Sequence, residues 1–135
     1  MRQSKVDRFI AEYCRSKRIT FLVDSKLDKD NGLCYPQFRE VHLAERYSSQ
    51  RIKLAIFLHE VGHIRVDRKR KKPFNAFECE LLSWQLAIQE HKRIFGKFFS
   101  QSQTQFMLKC LTSYSKSRHE CRRDPAGLRA PAGAV

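Results

Sequence analysis

The stretch from about Gln50 to Val66, QRIKLAIFLHEVGHIRV, constrains the fold of this chain more than any other. Apolar residues cover most of its circumference at helical spacing, which is typical of a helix enclosed by the rest of a protein. His59, Glu60 and His63 nevertheless lie within this apolar stretch, where polar side chains are costly unless they have partners. A fold that buries this helix must therefore also provide a polar site beside it.

The three polar residues match the pattern H-E-x-x-H, in which the two histidines are four residues apart. On a helix these two positions lie one above the other, so His59 and His63 can each direct an imidazole nitrogen at the same Zn²⁺ ion. Glu60 is rotated by about 100° from His59, which keeps it out of the ligand set but close to water that the metal activates. The spacing thus predicts one zinc ion per chain and Glu60 as the general base.

A catalytic zinc site usually has three protein ligands and one open position, and we favour Glu80 as the third ligand. Glu80 lies about one turn inside the next predicted helix, where that helix can cross the first one. Glu78 has a competing role, because with Asn75 it forms the pattern of a capping box. His91 would lie about 16 Å from Glu80 along the helix, so the two cannot bind one ion. The acidic and histidine candidates downstream of the motif are Asp67, Glu78, Glu80, Glu90 and His91.

The rest of the chain predicts the α+β class, with a small antiparallel sheet packed on a helical bundle. An Asn-Gly pair within residues 28–32 indicates a turn between the first two strands. We expect a single domain over residues 1–115 and a basic, disordered tail over residues 116–135. The predicted helices span 4–17, 50–66, 75–96 and 103–114, and the predicted strands span 19–24, 33–36 and 39–44.

Charge and cysteine content narrow the class of protein further. The chain has 27 Lys and Arg against 14 Asp and Glu, for a net charge of +13, which favours acidic or DNA-bound partners. Five cysteines without a CxxC pair, and no secretion signal or bilayer-spanning segment, predict free thiols in a cytoplasmic protein.

The densest basic runs are 15–18, 65–72 and 116–123. The run 65–72 is either a solvated loop or a positive rim that recruits acidic substrate.

Taken in order, the motifs resemble those of the ImmA/IrrE family of zinc metallopeptidases. The similarity covers about residues 3–95 and rests on ITFLV, REVHLA, LAIFLHEVGH and ECELLSWQLA. It implies a minimal zincin-like fold with His59, His63 and Glu80 as zinc ligands and Glu60 as the general base. Trp84 matches an aromatic position of the family's second motif, whereas Leu81, Leu82 and Gln85 depart from that motif.

The resemblance also implies a narrow endopeptidase that cuts a regulatory protein, such as a DNA-binding repressor of a phage or mobile element. We expect an extended substrate to pair with the edge of the strand 39–44. Tyr35 and His42 are candidates by position for stabilising the oxyanion. An alternative is a metal-stapled, non-catalytic basic module that binds nucleic acid or a protein partner, and a zinc hydrolase with a different substrate is a third reading.

Overall fold

The computed structural model describes residues 3–69 and 75–116, which form four α-helices, three short strands and one turn of 3₁₀-helix. The fold is α+β, as predicted. In chain order the elements are α1 (Lys5–Lys17), β1 (Thr20–Val23), β2 (Gly32–Tyr35), the 3₁₀ turn Pro36–Phe38, β3 (Glu40–Leu43), α2 (Gln50–Lys69), α3 (Ala76–Phe95) and α4 (Gln101–Lys116).

Local sequence signals fix where the helices begin and end. The hydroxyl of Ser4 accepts a hydrogen bond from the Asp7 amide and caps α1. The predicted capping box at the start of α3 is confirmed, because Asn75 and Glu78 each accept a hydrogen bond from the other's backbone amide. Gly96 ends α3 with a φ of 78°, in the left-handed region that glycine enters without strain.

The sheet is mixed, so the prediction that it is antiparallel was wrong. Strand β3 lies in the centre, parallel to β1 and antiparallel to β2. The segment before β2 is bonded to the segment after β3: the carboxylate of Asp30 accepts from the Ser48 amide and hydroxyl, and the Asn31 carbonyl accepts from the Tyr47 hydroxyl. These bonds align β2 with β3 and leave β1 on the other side.

The central position of β3 also corrects the expected site of substrate pairing. Both sides of residues 40–43 are already bonded to neighbouring strands, so no extended peptide can add there. The free edges of the described sheet belong to β1 and β2.

Helix α2 is the centre of the core, with Phe57 and Leu58 enclosed. It crosses α3 at Gly62, where a Cβ atom would lie only 2.4 Å from the carbonyl oxygen of Ser83. This close approach requires glycine at position 62, because any side chain there would collide with the backbone of α3. The two helices that carry the candidate metal ligands are therefore in direct backbone contact.

Some predictions fall on residues outside the described ranges. Helix α2 continues to Lys69, three residues beyond its predicted end, and residues 70–72 of the basic run lie outside the described ranges. Of the predicted tail, only Lys116 is described, as the last residue of α4. Among the described residues, no helix combines the length and apolar character needed to cross a bilayer.

Candidate metal centre

His59 and His63 lie one turn apart on α2 and face α3. Both side chains are buried, and their rings meet edge to face with centroids 4.7 Å apart. Because the surrounding positions of α2 are apolar, the polar partners of the imidazoles must come from another element.

That partner is Glu80, from the second turn of α3. One carboxylate oxygen, Oε1, lies 3.0 Å from Nε2 of His59, and the other, Oε2, lies 2.9 Å from Nε2 of His63. The pair of imidazole nitrogens is thus bridged by one carboxylate. Glu78, the competing acidic residue of the same motif, is exposed and occupied by the capping box.

Glu60 approaches the same imidazoles from a different side. Its Oε2 lies 3.4 Å from Nδ1 of His59, whereas Glu80 faces the Nε2 edge of that ring. Ligand atoms of His59, Glu60 and His63 all lie within 4.8 Å of one another, and this buried group could hold a metal ion. The two carboxylates therefore occupy distinct positions around one pair of histidines.

The indole of Trp84 fixes the orientation of His59. Their rings are stacked, with centroids 4.1 Å apart and planes 12° from parallel. Trp84 lies one turn after Glu80 on α3, so one helix supplies both a carboxylate and a flat apolar surface to the same imidazole. Stacking fixes the plane of the His59 ring, and the contact with Glu80 lies at its Nε2 atom.

The electrostatic environment favours a positive charge between the carboxylates. Burial disfavours the charged form of His59, but the negative charges of Glu80 and Glu60 outweigh it and raise the pKa of the imidazole to about 9. A metal cation would satisfy the same negative charge.

Gly32, which the sequence predicts only as part of a turn, lies against the candidate site. A Cβ atom there would lie 3.1 Å from Cγ and 3.2 Å from Oε2 of Glu60, and 2.8 Å from Cγ2 of Ile56. The first residue of β2 therefore covers the Glu60 side chain directly. The Asn-Gly pair suggests a hairpin, and no sequence signal links Gly32 to a helix almost thirty residues later.

Other candidate residues lie away from this centre. Tyr35 and His42 pack against each other with ring centroids 5.2 Å apart, on the face of the sheet opposite to the buried Val41 and Leu43. The structure does not bring either of them to the metal ligands.

The alternative ligands on α2 and α3 are also separate from the centre. Asp67 is exposed, and Glu90 is bound by Tyr13 and Arg93. Nδ1 of His91 is 2.6 Å from the backbone carbonyl of Lys97, which gives that histidine a structural role at the end of α3.

The donor atoms of this group are of the kinds that bind a metal ion. Two imidazole nitrogens and a carboxylate are common zinc ligands, and atoms bound tetrahedrally to zinc lie about 3.3 Å from each other. The contacts of 2.9 and 3.0 Å between Glu80 and the two histidines are close to that separation. In addition, Nε2 of His59 is fully buried and lies 3.0 Å from Oε1 of Glu80, so a metal that bound there would displace a proton.

No protein-family model, no curated protein and no solved structure matches this chain.

Proposed function

We propose that the protein is a zinc-dependent endopeptidase of the ImmA/IrrE type. The observation that carries this proposal is the separation of the two carboxylates: Glu80 faces the Nε2 atoms of both histidines, while Glu60 lies beside them on the Nδ1 side of His59. A site that served only to staple the fold would have no use for a second buried carboxylate.

His59, His63 and Glu80 are the proposed zinc ligands. They belong to two helices that touch at Gly62 and Ser83, so the ligand set is held by backbone contact as well as by side chains. When bound, zinc supplies Lewis acidity, which makes water acidic enough to act as a nucleophile near neutral pH.

Glu60 is the proposed general base. Its carboxylate accepts a proton from the attacking water as the water oxygen bonds to the carbonyl carbon of the substrate. The same carboxyl group then donates the proton to the amide nitrogen as the C–N bond breaks, which yields a carboxylic acid and an amine. Gly32 keeps Glu60 in place and excludes bulk solvent from its side, since Glu60 is only 2 % exposed.

The proposed substrate is a segment of a folded regulatory protein, such as a DNA-binding repressor. Strand β2 is an edge strand of the described sheet and its first residue, Gly32, lies against Glu60, so we place the pairing of an extended peptide at β2 instead of β3. The net charge of +13 favours an acidic segment or a substrate already bound to DNA.

The test compares wild type with Glu60→Gln, each loaded with zinc, on a library of peptides from a bacterial proteome. Mass spectrometry of newly formed N-termini identifies cleavage. We expect new N-termini with wild type, and none above background with Glu60→Gln, although both proteins bind about one zinc per chain. A chelator should abolish the cleavage by wild type.

A second candidate function is a metal-stapled module without catalysis, whose basic surface binds nucleic acid. The burial of all four site residues favours it, because structural zinc sites are usually closed. This second function would be established, and the first excluded, by two results together. Wild type and Glu60→Gln would give the same set of N-termini, and the protein would bind DNA in a salt-sensitive way.

A further inference from the structure

A second polar cluster lies on the opposite side of α2 from the metal centre. Tyr13 of α1 donates a hydrogen bond of 2.7 Å to Glu90 of α3, and Arg93 donates two, of 2.9 and 2.7 Å, to the same carboxylate. Arg65 of α2 lies 3.7 Å from it. Arg65 is two residues beyond His63, about 200° around the helix, so this cluster does not share a face with the metal ligands.

The cluster forms one wall of a half-open cavity of about 300 Å³. We call this cavity the Glu90 pocket. Its polar lining comprises Tyr13, Lys17, Arg39, Arg65, Glu90 and Arg93. Glu90 is the one carboxylate among these residues, against four cationic side chains, so the pocket has a strong excess of positive charge.

The hydrogen bonds within the pocket use only part of its donor capacity. Arg93 is paired with Glu90, and Arg39 donates to the backbone carbonyls of Lys17 and Arg18, which neutralises the negative end of α1. Within residues 3–69 and 75–116, the guanidinium of Arg65 makes one loose ionic contact, and the ammonium of Lys17 lies over the Tyr13 ring at 5.9 Å. These two side chains supply unused donors at the mouth.

The floor of the pocket is apolar. It is formed by Ile19, Val61 and Ile64, all of which are buried in the core. A cationic mouth above an apolar floor suits a ligand with an anionic head and a small apolar or aromatic body. Arginine binds phosphate oxygens through paired N–H groups, which favours a phosphate head over a compact monovalent anion.

We propose that the Glu90 pocket is a binding site for a phosphate monoester, with Arg65 and Lys17 contacting the phosphate and the isoleucines and Val61 contacting the body of the ligand. The site is independent of the metal centre and of the peptidase function proposed above. It would also give part of the basic surface a specific ligand, in addition to its general attraction for anions.

The proposal is tested by calorimetric titration of the full zinc-loaded chain with phenyl phosphate and with inorganic phosphate. We expect saturable binding of both, with phenyl phosphate tighter because its ring covers the apolar floor. Arg65→Gln and Lys17→Gln should each weaken phenyl phosphate binding by about tenfold, since each removes a charge-assisted contact. Both side chains lie at the mouth, so neither change opens a cavity in the core.

Lys109→Gln is the matched control, because it removes one exposed charge from α4, outside the pocket. Its binding should equal that of wild type. The proposal would be overturned if Lys109→Gln weakened binding as much as the pocket variants, or if wild type showed no saturable binding. It would also be overturned if both pocket variants bound phenyl phosphate as wild type does, which would place the anion on the metal instead.

Two oligonucleotides that differ only in a 5′-phosphate distinguish the source of the phosphate. Displacement of phenyl phosphate by the phosphorylated oligonucleotide alone supports a terminal monoester site. Equal displacement by both would mean that the pocket reads internal phosphodiesters, and the monoester assignment would be wrong.

Discussion

At the residue scale, the candidate site is defined by two glutamates that have different surroundings. Glu80 is fixed between two imidazoles, and Glu60 is covered by a strand that has no side chain at the point of contact. The distinction follows from backbone placement, because one carboxylate comes from α3 and the other from α2.

The first prediction concerns the third metal ligand. Glu80→Ala should lower zinc content from about one per chain to near zero at a chelator concentration that leaves wild type loaded, because the two histidines alone bind weakly. Glu78→Ala is the matched control: it loses a cap contribution of about 1 kcal/mol but should keep its zinc. Elemental analysis after dialysis measures both, and retention of zinc by Glu80→Ala would refute the assignment.

The second prediction concerns the contact between Gly32 and Glu60. Gly32→Ala places a methyl group within 3.2 Å of the Glu60 carboxylate and 2.8 Å of Ile56, so Glu60 must move. We expect zinc content to stay at the wild-type level while peptide cleavage falls about tenfold or more, as a shifted general base loses its alignment. Wild-type cleavage rates in Gly32→Ala would mean that the position of Glu60 is not critical.

At the element scale, helices α2 and α3 act as a pair whose separation is set by Gly62. The backbone of Ser83 occupies the space that any side chain at residue 62 would need. The same close approach lets the short carboxylate of Glu80 reach both histidines. Gly62 therefore allows both the close packing of α2 on α3 and the contacts of Glu80 with the two histidines.

The third prediction is that Gly62→Ala destabilises the protein by about 2–3 kcal/mol, despite the higher helix propensity of alanine. The new Cβ would lie 2.4 Å from a backbone oxygen that cannot rotate away. Urea denaturation of the zinc-free proteins measures the change. Gln105→Ala, at an exposed position of α4, is the control and should stay within about 0.5 kcal/mol of wild type.

How much of the fold the sequence predicts varies from one element to the next. Helix periodicity and caps are local properties, so α1 and α3 begin within a residue of their predicted positions. The order of the strands is not local: it depends on bonds from Asp30 and Asn31 to residues after β3, and the Asn-Gly pair suggests a hairpin that does not form. Of the site, the residues on α2 and α3 follow from spacing, whereas the covering contact from Gly32 depends on that strand order.

At the scale of the whole molecule, the Glu90 cluster joins three helices. Tyr13 comes from α1, Arg65 from α2, and Glu90 and Arg93 from α3. Hydrogen bonds from Arg93 and Tyr13 outweigh the effect of burial and hold the pKa of Glu90 down at about 2. The cluster therefore contributes to stability only while its carboxylate is ionised.

The fourth prediction follows from the sign of that shift. A carboxyl group whose pKa falls from about 4.3 in the unfolded chain to about 2 in the folded one stabilises the protein above pH 4.3, and loses that contribution as the pH falls toward 2. The free energy of unfolding at pH 6 should be about 1 kcal/mol higher for wild type than for Glu90→Gln. This value allows for solvent screening at the exposed Arg93. The difference should shrink steadily below pH 4.5, as measured by urea denaturation; a constant difference down to pH 3 would contradict it.

The placement of the proposed ligands also has a kinetic consequence. His63 and Glu80 are separated by about 17 residues, and the helices that carry them adjoin in sequence as well as in space. The two contacts close loops of similar length, since the paired residues of β1 and β3 are 20 apart, so loop-closure entropy differs between them by only about 0.1 kcal/mol. Zinc bound as proposed would link these adjoining helices, and because metal binding is coupled to folding, the rate at which the site forms would depend on the supply of metal.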